Sequence, residues 1–286
     1  MLLLLSPGQG AQTAGLLLPW LAVPGARERL DVWSDQTGLD LLHLGTVAST
    51  EDLRPTELAQ PLLTAAALLS GRALLDGGTP GLVCGHSVGE LSALALAGVL
   101  TDDEAVVLAA RRGSAMARAA ALAPTGLAAV LGRAPDADVV AEAGLSVAVV
   151  NAPGQVVLGG SVDALDALVL PGARVRRLDV AGAFHTEAMA PAVDELAELV
   201  AQLDARDARC DVVANADGAV LRDGRQLLDR LVGQLVRPVR FDLCLTACGA
   251  ATEAVELAPA GVLSGLVRRV LPDLPVRAVD AVAVAA

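Results

Sequence analysis

The stretch that most restricts the fold is Leu82-Val83-Cys84, then Gly85-His86-Ser87-Val88-Gly89, then Glu90-Leu91-Ser92-Ala93-Leu94-Ala95-Leu96. A short apolar run, a Gly-x-Ser-x-Gly turn and a helix-prone segment read as buried strand, sharp turn and helix. In that context the turn is a nucleophile elbow: the two glycines let strand and helix approach closely, and Ser87 is held in a strained conformation with its hydroxyl pushed outward. The helix start behind it offers backbone N–H groups to a developing oxyanion. Without chemistry, the same residues are a tight strand–helix turn.

Composition narrows the function classes. The chain has 286 residues and is 54% apolar, enough for one large domain, or a large and a small one, around a substantial core. Acidic residues outnumber basic ones 33 to 21, for a formal charge of −12, which argues against a nucleic-acid partner. Every basic residue apart from histidine is arginine, which removes lysine nucleophiles and Schiff bases. The cysteines, Cys84, Cys210, Cys244 and Cys248, make no Cys-x-x-Cys pair and have no zinc spacing with the histidines. They read as buried small hydrophobes rather than metal ligands. Leu2 to Leu5 is too short for a signal peptide or a membrane span, and reads as the buried first strand of a cytoplasmic protein.

Ser6-Pro7-Gly8-Gln9-Gly10 ends that strand in a loop, either an ordinary turn or the source of a second oxyanion donor. Residues 15–78 are helical in pattern, broken at Pro24-Gly25 and Gly45; His43 within them reads as a partly buried structural residue. Thr101-Asp102-Asp103-Glu104 is a capping box opening a helix to about Ala121. On it, Arg111 and Arg112 are a solvated pair, unless Gly113 opens the helix surface and Arg112 reaches a cleft. From Pro124 the pattern is β-α-β-β-α-β, a ferredoxin-like unit inserted between two parts of a larger α/β domain. Clefts form at such boundaries. Beyond it, Thr186 to about Leu203 reads as one helix with a gap at Pro191. Strands are expected at 211–214, 253–257 and 276–279, and helices at 225–235 and 261–270. An Ala/Val-rich tail occupies 281–286.

A serine hydroxyl needs a base at neutral pH, and the chain has three histidines. His86 adjoins Ser87 in a turn whose neighbouring side chains diverge. His185 lies at the exit of the inserted unit, where the cleft should be, and is the candidate base toward Ser87. No acidic residue stands out to orient it, so a carbonyl or amide is the expected third member.

Ser6 to Gln12, Gln60-Pro61, the 85–90 elbow, Arg112-Gly113, Asn151 to Gln155, Ala183-Phe184-His185 and Gln234 to Arg240 occur in the order and spacing of one family. The chain resembles the malonyl-CoA:acyl-carrier-protein transacylases over nearly its whole length, closest to the short actinobacterial type, and is also similar to polyketide synthase acyltransferase domains. The resemblance implies an α/β-hydrolase-like core with a parallel sheet, residues 1–122 and 186–286, with the ferredoxin-like small subdomain at 123–185. It implies a ping-pong transfer in which Ser87 takes malonyl from CoA and hands it to a phosphopantetheine thiol, supplying extender units for fatty acid or polyketide synthesis.

By the same resemblance, Arg112 binds the free carboxylate of the malonyl group, with Gln60, Asn151 and Phe184 as further substrate contacts. The backbone N–H groups of Gln9 and Val88 form the oxyanion hole, and Gln234 is the polar partner of His185. A ring at Phe184 would crowd an α-methyl group and favour malonyl over methylmalonyl, a methyl-sized difference worth about 1–3 kcal/mol. The expected partners are malonyl-CoA and an acyl carrier protein, with no nucleic acid or membrane, no metal and no bound cofactor; the CoA thioester is a substrate. A monomer is expected, with an arginine cluster (174/176/177, 268/269 or 222/225) docking the acidic carrier. The competing reading is a serine acyl hydrolase sharing Ser87 and His185, for which a buried Arg112 would have no use.

Overall fold

Leu3, Leu4 and Leu5 have no exposed surface. A continuous apolar run of this kind fits only a central strand covered on both faces. A computed structural model describes residues 1–279; the Ala/Val tail at 281–286 lies outside them. The strands are β1 (Leu2–Ser6), β2 (Leu82–Gly85), β3 (Thr125–Gly132), β4 (Ser146–Ala152), β5 (Gln155–Ser161), β6 (Ala173–Arg177), β7 (Asp211–Val213), β8 (Val220–Leu221), β9 (Val239–Arg240), β10 (Glu253–Glu256) and β11 (Val276–Ala278).

One sheet runs β11-β10-β1-β2-β7-β8. Its first five strands are mutually parallel and β8 is an antiparallel edge. The C-terminal ends of β1, β2 and β7 therefore lie side by side, where open α/β sheets bind ligands.

Between β1 and β2 come α1 (Ala26–Thr37), α2 (Leu41–Thr46) and α3 (Thr56–Leu75); α4 (Gly89–Ala97) and α5 (Asp102–Ala120) follow β2. Helix α3 is long and apolar enough to cross a bilayer, but 72% of its most apolar window is buried inside the fold. The capping box forms: Thr101 Oγ1 accepts from Glu104 N–H at 3.1 Å, and the Glu104 carboxylate accepts from Thr101 N–H at 2.6 Å.

The second sheet runs β6-β3-β5-β4-β9. With α6 (Ala137–Glu142) and α7 (Val162–Ala167) as its crossovers, β3 to β6 pair antiparallel in ferredoxin-like order. β9 adds to β4 in parallel, so this sheet also draws on chain beyond residue 185. The single helix expected at 186–203 is instead a 3₁₀ segment, Glu187–Ala192, followed by α8 (Val193–Ala201). Pro191 has no N–H to donate and crowds the preceding turn, which breaks the regular ladder. The chain ends in α9 (Gly224–Gly233), α10 (Phe241–Cys248) and α11 (Val262–Val270), interleaved with the last strands.

Candidate active site

Ser87 stands at the C-terminal end of β2 with φ = 54°. A non-glycine residue there is strained, and the strain turns its side chain out of the sheet. The flanking glycines are required by contact. A Cβ on Gly85 would lie 2.1 Å from the Gly89 carbonyl carbon, and one on Gly89 would lie 2.2 Å from the Ser6 carbonyl oxygen. Both neighbours are backbone and cannot swing aside. Gly89→Ala is therefore expected to cost at least about 1–3 kcal/mol by overpacking, measurable as a lower urea midpoint; an unchanged midpoint would show that β1 and α4 can part.

Ser87 Oγ lies 2.8 Å from His185 Nε2, and His185 Nδ1 lies 2.8 Å from the Gln234 carbonyl oxygen. Gln234 caps the C-terminus of α9, so its carbonyl is one of the orphan acceptors at a helix end and carries the negative pole of the helix dipole. With Nδ1–H donating to that carbonyl, Nε2 is left as an acceptor for the serine hydroxyl. Burial first, then the charge of Arg112, holds the His185 imidazole down to about 3, so it is neutral at physiological pH. His185 also has positive φ, 61°.

His86 faces elsewhere. Its Nε2 meets Asn151 Oδ1 at 2.9 Å, and its ring tilts against Phe241 at 4.9 Å, which ties the elbow to β4. His43, expected to be partly buried, is exposed on α2. Cys84, Cys244 and Cys248 are fully buried and Cys210 nearly so.

The β1 loop folds over the elbow so closely that a Cβ on Gly8 would lie 2.6 Å from the His86 carbonyl oxygen. Gln9 is held by a 3.1 Å hydrogen bond from its Nε2 to Thr56 Oγ1. Among the described residues, the backbone N–H groups of Gln9 and Val88 donate to no other protein group. Two free donors flanking a hydroxyl suit an oxyanion.

Arg112 lies on α5 and is only 1% exposed, whereas its neighbour Arg111 faces solvent. Its Nη1 donates to Gln60 Oε1 and its Nη2 to Gln234 Oε1, each at 2.7 Å, while Nε has no partner among the described residues. Among the described residues, none of the ion pairs involves it. Burial lowers it to about 10, which leaves it charged at neutral pH. The role suggested for Gly113 needs correction. Its missing side chain does not open a path for Arg112; a Cβ there would lie 2.7 Å from the Thr56 carbonyl oxygen, so the glycine admits the start of α3.

A cavity of about 240 Å³ opens on Ser87 and His185. Gln9, Gln60, Asn151 and Phe184 line it, and Leu127, Val157 and Leu263 make much of the wall apolar.

Two residues to which the sequence analysis gave no role complete the site. Asn215, just past β7, accepts from the Ser87 N–H on Oδ1 at 2.8 Å and donates through Nδ2 to the Gly85 carbonyl at 2.6 Å. Glu90, on the first turn of α4, accepts from the Asn215 N–H at 2.7 Å and from Gln234 Nε2 at 2.5 Å. Burial pushes the Glu90 carboxyl up to about 7, against the opposing pull of the Asn215 N–H and the Arg112 charge. One signal was present in the sequence: Asn215 follows a parallel strand at the edge where ligands bind.

Residues 4–283 match the family described as acyl transferase domain. The chain is 46% identical to the malonyl CoA-acyl carrier protein transacylase of Mycobacterium tuberculosis, over 98% of this chain and 96% of that protein. It is 34% identical to the transacylase of the same name from Escherichia coli, over 96% and 94%. The crystal structure of MCAT from Mycobacterium tuberculosis superposes with a TM-score of 0.93 at 45% identity, covering 100% of both chains. The chain belongs to the malonyl-CoA:acyl-carrier-protein transacylase family. The mixed α/β architecture expected from the strand–turn–helix pattern is that of the transacylases.

Proposed function

We infer that the protein transfers a malonyl group from malonyl-CoA to the phosphopantetheine thiol of an acyl carrier protein through an ester on Ser87. The observation that carries this reading is one residue, Gln234. Its carbonyl orients the base behind Ser87, and its side-chain oxygen holds the buried Arg112 guanidinium. Nucleophile and cation are thus joined through Gln234, and Gln60, which holds the other side of the guanidinium, lines the same cavity as Ser87, as an acyl thioester with a carboxylate at its far end requires. A hydrolase of neutral acyl thioesters has no use for that cation.

The geometry supports the following steps. His185 Nε2 takes the Ser87 proton as Oγ attacks the thioester carbonyl, and the Gln9 and Val88 N–H groups receive the oxyanion. The tetrahedral species collapses, and the CoA thiolate leaves with the proton from His185. The acceptor thiol then gives its proton to His185 and attacks the Ser87 ester, and the serine recovers its proton. Arg112 grips the malonyl carboxylate throughout, as a planar guanidinium does in a water-poor cleft. Gln60, Asn151 and Phe184 shape the remaining walls. The product is an extender unit for fatty acid or polyketide assembly. The test is intact-mass analysis after mixing with malonyl-CoA, then with holo carrier protein. A malonyl adduct that moves to the carrier is expected; free malonate without an adduct would make the protein a hydrolase.

The carrier docks on the rim formed by α11. Val262, Leu263 and Leu266 of that helix line the cavity. Arg269 spans to the Pro153 carbonyl and Gln155 Oε1 of the β4–β5 turn, leaving Arg268 exposed beside it. Arg177 is paired with Asp166 and Arg222 with Asp211. Arg268→Glu is expected to raise KM for the carrier about fivefold or more at low salt, with malonyl loading from CoA unchanged and the effect fading as salt screens it. A carrier KM that does not move would place docking elsewhere.

A further inference from the structure

A carboxylate buried behind a nucleophile has a cost, and transfer to and from Ser87 makes no direct use of Glu90. It is 6% exposed, and neither of its oxygens meets a cation: Oε1 takes the Asn215 backbone N–H and Oε2 takes Gln234 Nε2. The Gln234 amide is the element it acts on. A carboxamide can flip by 180° with almost no change of shape, so its neighbours decide which end is which. Here Nε2 faces three acceptors, the Glu90 carboxylate at 2.5 Å, Asn215 Oδ1 at 3.2 Å and the Ser87 carbonyl at 3.3 Å, while Oε1 faces Arg112 Nη2 at 2.7 Å. Glu90 is the nearest and the only ionisable one; both its oxygens accept N–H donors, which suits its charged form, and it sits at the N-terminus of α4, where the helix dipole favours a negative group.

We propose that Glu90 is a positioning residue: it fixes the Gln234 amide with its oxygen toward Arg112, and so supplies the counter-charge to Arg112 at one remove, leaving the guanidinium free to take a substrate carboxylate as its direct partner. A carboxylate in contact with Arg112 would compete with the malonyl group for the same donors. With no negative charge nearby, the guanidinium would be buried uncompensated. An intervening amide avoids both: Gln60 and Gln234 hold two nitrogens with neutral oxygens, and among the described residues Nε has no partner. The inference rests on the reading of Arg112 as the carboxylate anchor and names what keeps it so.

Glu90→Gln tests it. The new side chain has one oxygen for two N–H donors. The Asn215 backbone N–H cannot turn away, so the new NH₂ confronts Gln234 Nε2 and drives that amide to flip, presenting NH₂ to Arg112. The expected result is a fall in kcat/KM for malonyl loading of roughly ten- to a hundredfold, carried mainly by KM, and at least ten times larger than the fall for acetyl loading from acetyl-CoA. Equal falls for both acyl groups would make Glu90 merely structural, and no fall for either would remove it from the site altogether. The exchange Glu90→Gln with Gln234→Glu restores the short contact between the two side chains and keeps the Asn215 N–H satisfied, gives up the longer contacts to Asn215 Oδ1 and the Ser87 carbonyl, and sets a carboxylate on Arg112. It is expected to melt closer to the parent and still load malonyl poorly, and it is the variant to read if the single one does not fold. Malonyl loading by the exchange at the parent rate would overturn the proposal. A parent protein that loads neither acyl group would sink the transferase reading instead.

Discussion

Exchanging Ser87 for alanine is expected to abolish the malonyl adduct and to lower transfer to the carrier protein by at least about 10³-fold, and by as much as 10⁶-fold if binding alone gives no turnover. The size follows from the lack of a substitute. The chain contains no lysine, Cys84, Cys244 and Cys248 are fully buried, and Cys210 is 2% exposed. The Nε2 of His86 is occupied by Asn151. His185 is neutral and its Nε2 is available, but without the hydroxyl it can only deprotonate the carrier thiol for direct attack on malonyl-CoA, with the carrier's phosphopantetheine arm and the CoA thioester competing for one cavity of about 240 Å³. The Gln9 and Val88 donors and Arg112 remain in the variant, so substrate binding should survive. Intact-mass analysis reads the adduct and a coupled assay reads transfer; an adduct persisting in Ser87→Ala would assign the nucleophile to another side chain.

The parts of this site that were legible in the sequence are those with local causes. Gly85 and Gly89 announce a close crossing because only residues without a Cβ pass there, and the Leu82-Val83-Cys84 run, bounded by that turn, reads as a buried strand. The capping box at Thr101 is a contact between residues three apart. His185 could be reached by elimination, since three histidines leave few choices. Glu90 and Asn215 could not be found this way. Glu90 lies 125 and 144 residues from its partners Asn215 and Gln234, Asn215 lies 128 from Ser87, and an acidic residue opening a helix ordinarily faces water. Arg112 shows the same limit: periodicity could not separate it from Arg111, because what buries it is a pair of amides from α3 and the end of α9. Helix α10 and the short strands β8 and β9 offer too few residues for a period to show.

Arg112→Ala is expected to cost malonyl loading about 2–5 kcal/mol, or about 10²–10³-fold in kcat/KM, because the malonyl carboxylate would enter a buried site with no charge to meet it. Acetyl loading has no such requirement and should be retained or improved, so the ratio of the two is the diagnostic quantity. A second effect has a definite sign. The Arg112 charge is one of the causes, after burial, that hold His185 down to about 3, so removing it must raise the His185 pKa. In acid a larger fraction of the base is then protonated and inactive. The acid limb of the pH profile for acetyl loading should accordingly move to higher pH in Arg112→Ala than in the parent. An unmoved limb would mean that the two groups do not feel each other, and equal losses for malonyl and acetyl would mean that Arg112 holds Gln60 and Gln234 together and binds no acyl group. On the proposed binding of malonyl to Arg112, the carboxylate would offset the charge that depresses His185, so the substrate that fits would also be the one that strengthens its own base.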